Sequence, residues 1–468
     1  MSTHTIGDQQ LQVIHAAFTG TLVQPEDPGF DDARAIWNGM VDKYPLLIAR
    51  CADVDDVVTA VNFARENDLP VAIRGGGHNV AGSAICDDGL VIDLSEMTNV
   101  VVDTETRRAS VQGGATIGDV DRATQRHGLA TALGVVSETG IAGLTLNGGL
   151  GHLRRKYGLS LDNLTSVEIV TADGVVRTAS DEENTDLFWA IRGGGGNFGV
   201  VTNFEYKLHE VGPDVNMLFT WYGGDDVEDA LRAFREYTTA ASRDGSVVAF
   251  YAFVPEDETF PEESWGDPAI AMIGCYDGPT DEAEAEFREL RTVAEPIADM
   301  SGPIEYTALQ TLLDEDYPDG LRYYWKAVYV EELTDDIVDL VVRYGADSPS
   351  HLSTVDVWHL GGAIGDVEPD ATAFWHRTND YMLTFEANWE DPAVDDENVA
   401  WVRNGIEELR EMLVTTGGYG NFPGFGEDPS QTLFGDNYNR LVDVKTVYDP
   451  ENLFKLNTNI EPHEQPSE

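Results

Sequence analysis

The run Ile73-Arg74-Gly75-Gly76-Gly77-His78-Asn79 places an imidazole directly behind three consecutive glycines. Glycine loses more backbone freedom on folding than any other residue, so such a run persists where main chain bends tightly or lies against something large. Further glycine clusters occupy 134–151 and 193–199. Tyr419-Gly420-Asn421 and the pair Asn457, Asn459 follow toward the carboxyl end. Exposed N–H groups at glycine loops suit a pyrophosphate. One large flat ligand touching several loops would explain why the clusters are dispersed. A single cluster is equally well explained as a chain turn. The whole set is harder to explain that way.

Several other chemistries are absent. There is no G-x-x-x-x-G-K-[ST] phosphate loop, no H-E-x-x-H and no G-x-S-x-G elbow. The ten histidines show no ligand spacing, and no metal site is expected. Gly194, Gly196 and Gly199 fit G-x-G-x-x-G, but a strand is predicted after them where a dinucleotide fingerprint needs a helix. Cys51, Cys86 and Cys275 are too few for a disulfide framework and form no C-x-x-C pair.

Two stretches offer acid–base groups. In Tyr381–Trp389, residues alternate between Tyr381, Leu383, Phe385, Ala387, Trp389 and Met382, Thr384, Glu386, Asn388. With a period of two, these sets line opposite faces of a strand. The second set looks either to water or to a ligand. The other is Tyr419-Gly420-Asn421, a phenol of ordinary pKa about 10 beside an amide.

The elements that must hold these residues follow from periodicity. Residues 45–79 read strand, helix, strand, glycine loop, with Asp53 or Asp55 as helix cap. Residues 89–95 read as a strand, 100–115 as a hairpin and 116–129 as a helix. Residues 166–180 form a second hairpin about Asp173-Gly174. A helix at 186–192 and a strand at 199–209 close this part. After Gly212-Pro213 the pattern changes. Acidic helical stretches such as 281–294 alternate with aromatic strands at 322–330, 353–360 and 381–389. This predicts an antiparallel sheet with helices on one face, and an α+β fold overall. Residues 1–212 then make one part, 213–417 a second, 418–462 a return to the first, and 463–468 a tail.

The charge is extreme. Of 468 residues, 84 are acidic and 29 basic, a net −55, and only six are lysines: Lys43, Lys156, Lys207, Lys326, Lys445 and Lys455. Nine Trp, 17 Tyr and 18 Phe rule out an acidic disordered chain. The Debye length falls from about 10 Å at 0.1 M salt to about 3 Å at 1 M, so molar salt would relieve the self-repulsion of this surface. The composition is that expected of a halophilic protein. Nucleic acid and anionic membranes are poor partners for it. No apolar run is long enough to span a bilayer, and no secretory leader is visible, so a cytoplasmic location is expected.

Residues 70–97, 139–164, 187–208 and 437–462 together resemble the FAD-linked oxidases of the vanillyl-alcohol-oxidase superfamily. They are most similar to the berberine-bridge-enzyme-like group, near the 6-hydroxy-D-nicotine oxidases. The resemblance runs from Trp37 to Pro462. It implies a two-part FAD-binding domain and a substrate domain whose sheet lies over the flavin. In this family the R-G-G-G-H loop wraps the flavin and its histidine bonds the 8α-methyl of the ring, which here implies His78. Some members add a bond from a cysteine in G-V-C. This chain has Gly134-Val135-Val136, and valine has no nucleophile, so FAD covalent through His78 only is expected.

By the same resemblance Arg74, Gly75, Gly76, Gly77, Asn79 and Ser83 line the phosphate and ribityl path. Val135, Ser137, Gly140 and Gly143 lie along the flavin. Gly148, Gly149 and His152 lie near the pyrophosphate, Val200 and Val201 at the adenine, and Asn457 and Asn459 return to the ring. Thr384, Glu386 and Asn388 become candidate substrate contacts, with Tyr419 as base. Trp325, Tyr324 and Trp358 are candidate walls. The implied partners are a small-molecule substrate, such as an alcohol, amine or sugar hemiacetal, and oxygen or another electron acceptor. Oligomeric state stays open. A non-catalytic flavin carrier and a non-flavin nucleotide or sugar binder are the alternatives.

Overall fold

A computed structural model describes residues 6–413, 417–424 and 430–464. Leu47–Arg50, Leu90–Asp93 and Val71–Arg74 pair in parallel in that order, and Thr21–Val23 joins antiparallel at the outer edge. Parallel strands covered on both faces read as continuous apolar runs, and Leu47, Ile48 and Ala49 are all fully buried. The connecting helix Val54–Glu66 is capped by Asp53, whose carboxylate accepts the Asp56 N–H at 3.0 Å. Of the two expected caps, Asp53 is the one used. The strand Val71–Arg74 ends directly at the glycine loop, so the sheet aims that loop.

A second, five-stranded antiparallel sheet follows. Its order is Val100–Asp103, Arg108–Gln112, Val200–Lys207, Leu164–Val170, Val176–Ser180. Both predicted hairpins are present, and Gly174 takes φ 75° at the turn of the second. Gly199 precedes a strand, as predicted.

The third sheet is antiparallel, with long strands ordered Asp214–Gly223, Pro268–Tyr276, Gly245–Phe253, Thr354–His359, Tyr381–Trp389, Arg322–Val330. Helices Val227–Ala240, Asp335–Ala346 and Asp395–Glu411 cover one face. Leu231, Phe234, Val341 and Ile406 from these helices pack against Tyr381, Leu383, Phe385, Ala387 and Trp389. Each Leu or Phe buried this way contributes roughly 1.5–3 kcal/mol. The period-two reading of 381–389 therefore holds on its apolar side. The acidic stretch 281–294 is shorter as a helix than its composition predicted: only Thr280–Glu286 is α-helical, closed by four like charges within seven residues.

The opposite face is not solvated. Met217, Phe219, Trp358 and Met382 pack against Leu150, Leu153 and Leu159 from the first half of the chain. Among the described residues no helix is long and apolar enough to cross a membrane.

Candidate functional site

Between the glycine loops and the uncovered face of the third sheet lies a cleft of about 1710 Å³, part of it open to solvent. Gly75, Gly76, Gly77, His78, Asn79 and Ser83 form one wall. Gly76 packs against Gly140 so closely that a Cβ on Gly76 would sit 2.5 Å from the Gly140 nitrogen, and one on Gly140 2.4 Å from that of Gly76. Two backbones in that contact tolerate no side chain. Around Gly143 a Cβ would meet nothing within 4 Å, because this glycine borders the open cleft. Asn79 accepts the Ser83 N–H at 3.0 Å and closes the turn after the histidine.

His78 lines the cleft with its ring stacked on Trp37, centroids 5.1 Å apart and planes at 13°. Trp37 in turn stacks on Tyr323 at 3.7 Å. The Thr139 hydroxyl lies 3.4 Å from His78 Nδ1. Burial pushes the imidazole down to about 4, against the opposing pull of Asp319 and Asp314, so it is neutral at physiological pH.

Tyr419, Asn421 and Glu386 converge on the cleft from the other side. The buried Tyr419 oxygen accepts N–H bonds from Gly149 and Leu150, each at 3.2 Å, and from Asn421 Nδ2 at 2.9 Å. Burial raises the phenol above its ordinary pKa, and these three donors pull it back. Glu386 Oε2 accepts from Tyr317 at 3.2 Å and Oε1 from Thr384 at 3.2 Å. Asp356, on the adjacent strand and equally buried, hydrogen-bonds Glu386. Burial first, then repulsion from Asp356, holds Glu386 well above the carboxylate range, while burial lifts Asp356 to about 6. The polar face of 381–389 thus points into the molecule rather than to water.

Val135, Gly140, Gly143, Val201 and Asn457 also line the cleft, as do Trp325 and Trp358. Seven other expected cofactor contacts do not. Arg74 turns its guanidinium away, to the carbonyls of Ala33 and Ala35 and toward Asp93. Ser137 donates its N–H and O–H to Asp314 at 2.7 and 2.6 Å. Gly148 and Gly149 sit behind the cleft, where a Cβ would strike Phe374 and Ser160. Val200 alternates with Val201 and packs on Phe454 in the neighbouring core. His152 is buried beside Arg154, its pKa pushed down to about 3. Asn459 lies beyond the lining, its Oδ1 buried.

Among substrate-side expectations, Tyr324 belongs to the helix-covered face, its hydroxyl accepting from Arg403 at 3.0 Å. Asn388 is occupied by Trp325 Nε1 at 2.7 Å. Thr384 is buried and bonded to Glu386. Trp37, Asn147, Leu150, Gly196, Tyr317 and Phe422 line the cleft without having been singled out. Gly196 lay inside a flagged cluster. Trp37 and Tyr317 carried no signal, because only a fold that joins 37 to 317 brings them there.

The cleft is long, walled by glycine backbone on one side and aromatic rings on the other. The buried Oδ1 atoms of Asn457 and Asn459 have no partner among the described residues. Unpaired buried amides of this kind normally bond something, and at Asn457, the one of the two that lines the cleft, the heteroatom edge of a flavin fits. Among the described residues no group of three His, Cys, Asp or Glu side chains is placed to hold a metal ion.

Comparison with known proteins gives the family. Residues 45–180 match a family model described as an FAD binding domain, and 418–461 one described as berberine and berberine like. The chain is 33% identical over 432 residues to an FAD-linked oxidoreductase of Dictyostelium discoideum, covering 91% of each. It is 32% identical over 459 residues to the (R)-6-hydroxynicotine oxidase of Paenarthrobacter nicotinovorans, covering 95% of this chain and 97% of that one. The crystal structure of 6-hydroxy-D-nicotine oxidase from Arthrobacter nicotinovorans is similar at TM-score 0.84 and 30% identity, covering 95% of this chain and 98% of that one.

Proposed function

Since the chain belongs to the FAD-linked oxidoreductases that carry a berberine-like carboxyl-terminal segment, we propose that it oxidises a small molecule in this cleft with FAD tethered through His78 alone. The observation that carries the reading is a neutral imidazole held at the cleft edge, directly after a glycine loop whose Gly76 lies too close to Gly140 for a side chain. Bound FAD supplies the hydride acceptor and the route onward to oxygen or another electron acceptor.

The chain's own residues do the rest. The stack on Trp37 fixes the His78 ring, and its neutral state leaves a nitrogen lone pair free for a covalent bond. Val136, which lines the cleft where a second tether would start, has no nucleophile. Gly75, Gly76, Gly77, Asn79 and Ser83 cradle the phosphates and ribityl chain, Val135, Gly140 and Gly143 the ring, and Val201 the adenine. Asn457, which lines the cleft with an unpartnered Oδ1, bonds the ring edge. Tyr419 takes the substrate proton, oriented by Asn421, and Glu386 contacts the substrate from the sheet.

We assign 1–212 and 418–462 to cofactor binding and 213–417 to substrate binding. The scarce, buried cysteines and the −55 charge support a cytoplasmic, high-salt setting. Acid precipitation tests the tether: yellow colour that stays with the pellet, and leaves it in His78→Ala, is expected. Anaerobic bleaching by a panel of alcohols, amines and sugars in molar KCl tests the oxidation. A colourless protein, or one that no panel member bleaches, would overturn the proposal.

A further inference from the structure

Among the described residues the His78 ring makes one hydrogen bond, to the Thr139 hydroxyl at 3.4 Å. A single contact of that length does not fix the plane of a ring. The plane is set by a stack of three rings. His78 lies on Trp37, and the other face of Trp37 lies on Tyr323 with centroids 3.7 Å apart and planes at 11°. Tyr323 is fully buried and belongs to the strand Arg322–Val330 of the third sheet. The glycine loop and the third sheet therefore meet through one indole.

The next residue ties the same two parts through hydrogen bonds. Asn38 is fully buried. Its Nδ2 donates to the Val80 carbonyl at 2.7 Å and to the Tyr323 carbonyl at 2.9 Å, and its Oδ1 accepts the Tyr323 N–H at 3.1 Å. Val80 stands two residues beyond His78, so one amide joins the histidine turn to the sheet. Trp37 is locked as well. Its Nε1 donates to the Tyr317 carbonyl and its own carbonyl accepts the Gly320 N–H, each at 2.8 Å. Apolar packing of Met217, Phe219 and Trp358 on Leu150 and Leu153 already joins the two parts elsewhere. The contact at 37–38 differs in kind, because it is directional and sits at the histidine.

Resting on the reading that FAD is tethered through His78, we propose that Tyr323 and Asn38 are positioning residues for that tether. Acting through Trp37 and the Val80 turn, they let the third sheet hold the imidazole where the bond forms. When the C–N bond forms, the 8α-methyl gives up one hydrogen and the imidazole its N–H. The two electrons and two protons stay on the flavin, and dioxygen takes them away as hydrogen peroxide. The chain contributes placement to this step, and a misplacement of about 1 Å can cost about 10²-fold in rate. The tether then forms only in a chain whose two parts have docked.

Full-length Tyr323→Leu and Tyr323→Phe, purified beside the parent after incubation with excess FAD in air, test this. Two quantities are read on each sample: total bound flavin, and the share that stays with the acid-precipitated protein. The parent is expected to keep its flavin in the pellet. Tyr323→Leu removes the ring beneath Trp37 and is expected to bind FAD with the ratio of released to pelleted flavin raised at least about tenfold. Tyr323→Phe keeps the ring and is expected to match the parent. Asn38→Ser, too short to reach both Val80 and Tyr323, is expected to behave as Tyr323→Leu does and decides the matter where that variant does not fold. A parent-like pelleted share in Tyr323→Leu and Asn38→Ser would overturn the proposal. So would a loss of total flavin with the pelleted share of the remainder unchanged, which would mark a binding role alone. A parent that releases all its flavin would overturn the tether reading itself, an outcome visible before any variant is compared.

Discussion

Replacing Tyr419 by phenylalanine removes one oxygen and changes little volume. That oxygen accepts three N–H groups, two from the buried backbone of Gly149 and Leu150 and one from Asn421. Asn421 keeps a second acceptor, the Leu144 carbonyl at 3.2 Å. The two main-chain donors lose theirs. A buried donor left without a partner costs about 1–3 kcal/mol, so Tyr419→Phe, which orphans two, should cost about 2–6 kcal/mol. The urea midpoint should fall accordingly. If Tyr419 is also the base, anaerobic reduction of the flavin by substrate should slow by about 10²–10⁴. Burial raises the phenol above its ordinary pKa, so the parent rate should climb with pH through the alkaline range, and the variant should lose that rise. Stopped-flow spectroscopy measures the rate and urea titration the stability, so the two roles separate. A midpoint drop with an unchanged reduction rate would leave a structural tyrosine only. A variant as stable and as fast as the parent would refute both the donor count and the mechanism.

Other outcomes follow from the same geometry. Asp121 is buried, and burial lifts its pKa to about 7, opposed by a bond from Gln310 Nε2 at 2.9 Å. Because the folded value lies above the unfolded one, its contribution is fully present below about pH 4 and is lost as pH rises toward 7. Asp121→Asn can pair both ways with Gln310, whose Oε1 is otherwise unbonded among the described residues, and should raise stability at pH 8 by at most about 4 kcal/mol. Thermal melts from pH 4 to 8 check the slope. Lys445 joins Asp449 to the carbonyls of Asn197 and Phe454 and so pins the segment that carries Asn457. Lys445→Met should cost about 3–5 kcal/mol and weaken flavin retention, read by urea titration and by flavin released on gel filtration. Dilution below about 0.3 M salt should lower the melting temperature, since unscreened repulsion then acts over a longer range.

Much of this was legible in the sequence because it is local. The alternation in 381–389 sorts helix-facing from cleft-facing side chains with no help from the fold. The close contact of Gly76 with Gly140 needs glycine at both positions, and both stood in flagged clusters. What was not legible depends on distance along the chain. Trp37 Nε1 bonds the Tyr317 carbonyl across 280 residues, and that bond brings both rings to the cleft. Ser137 was expected along the flavin but is held by Asp314, 177 residues on. Arg74 was expected at a phosphate, yet its long side chain reaches the carbonyls of the Phe30–Arg34 helix and its end, a choice that no motif records. The Glu386–Asp356 pair also needed the register of two strands, because Asp356 lies opposite Thr384.

The most direct test is peptide mapping of the denatured protein. The account predicts that the peptide holding His78 carries the mass of one FAD, that the adduct vanishes in His78→Ala, and that no other peptide carries it. Flavin released free into the acid supernatant, or found on another peptide, would contradict the account.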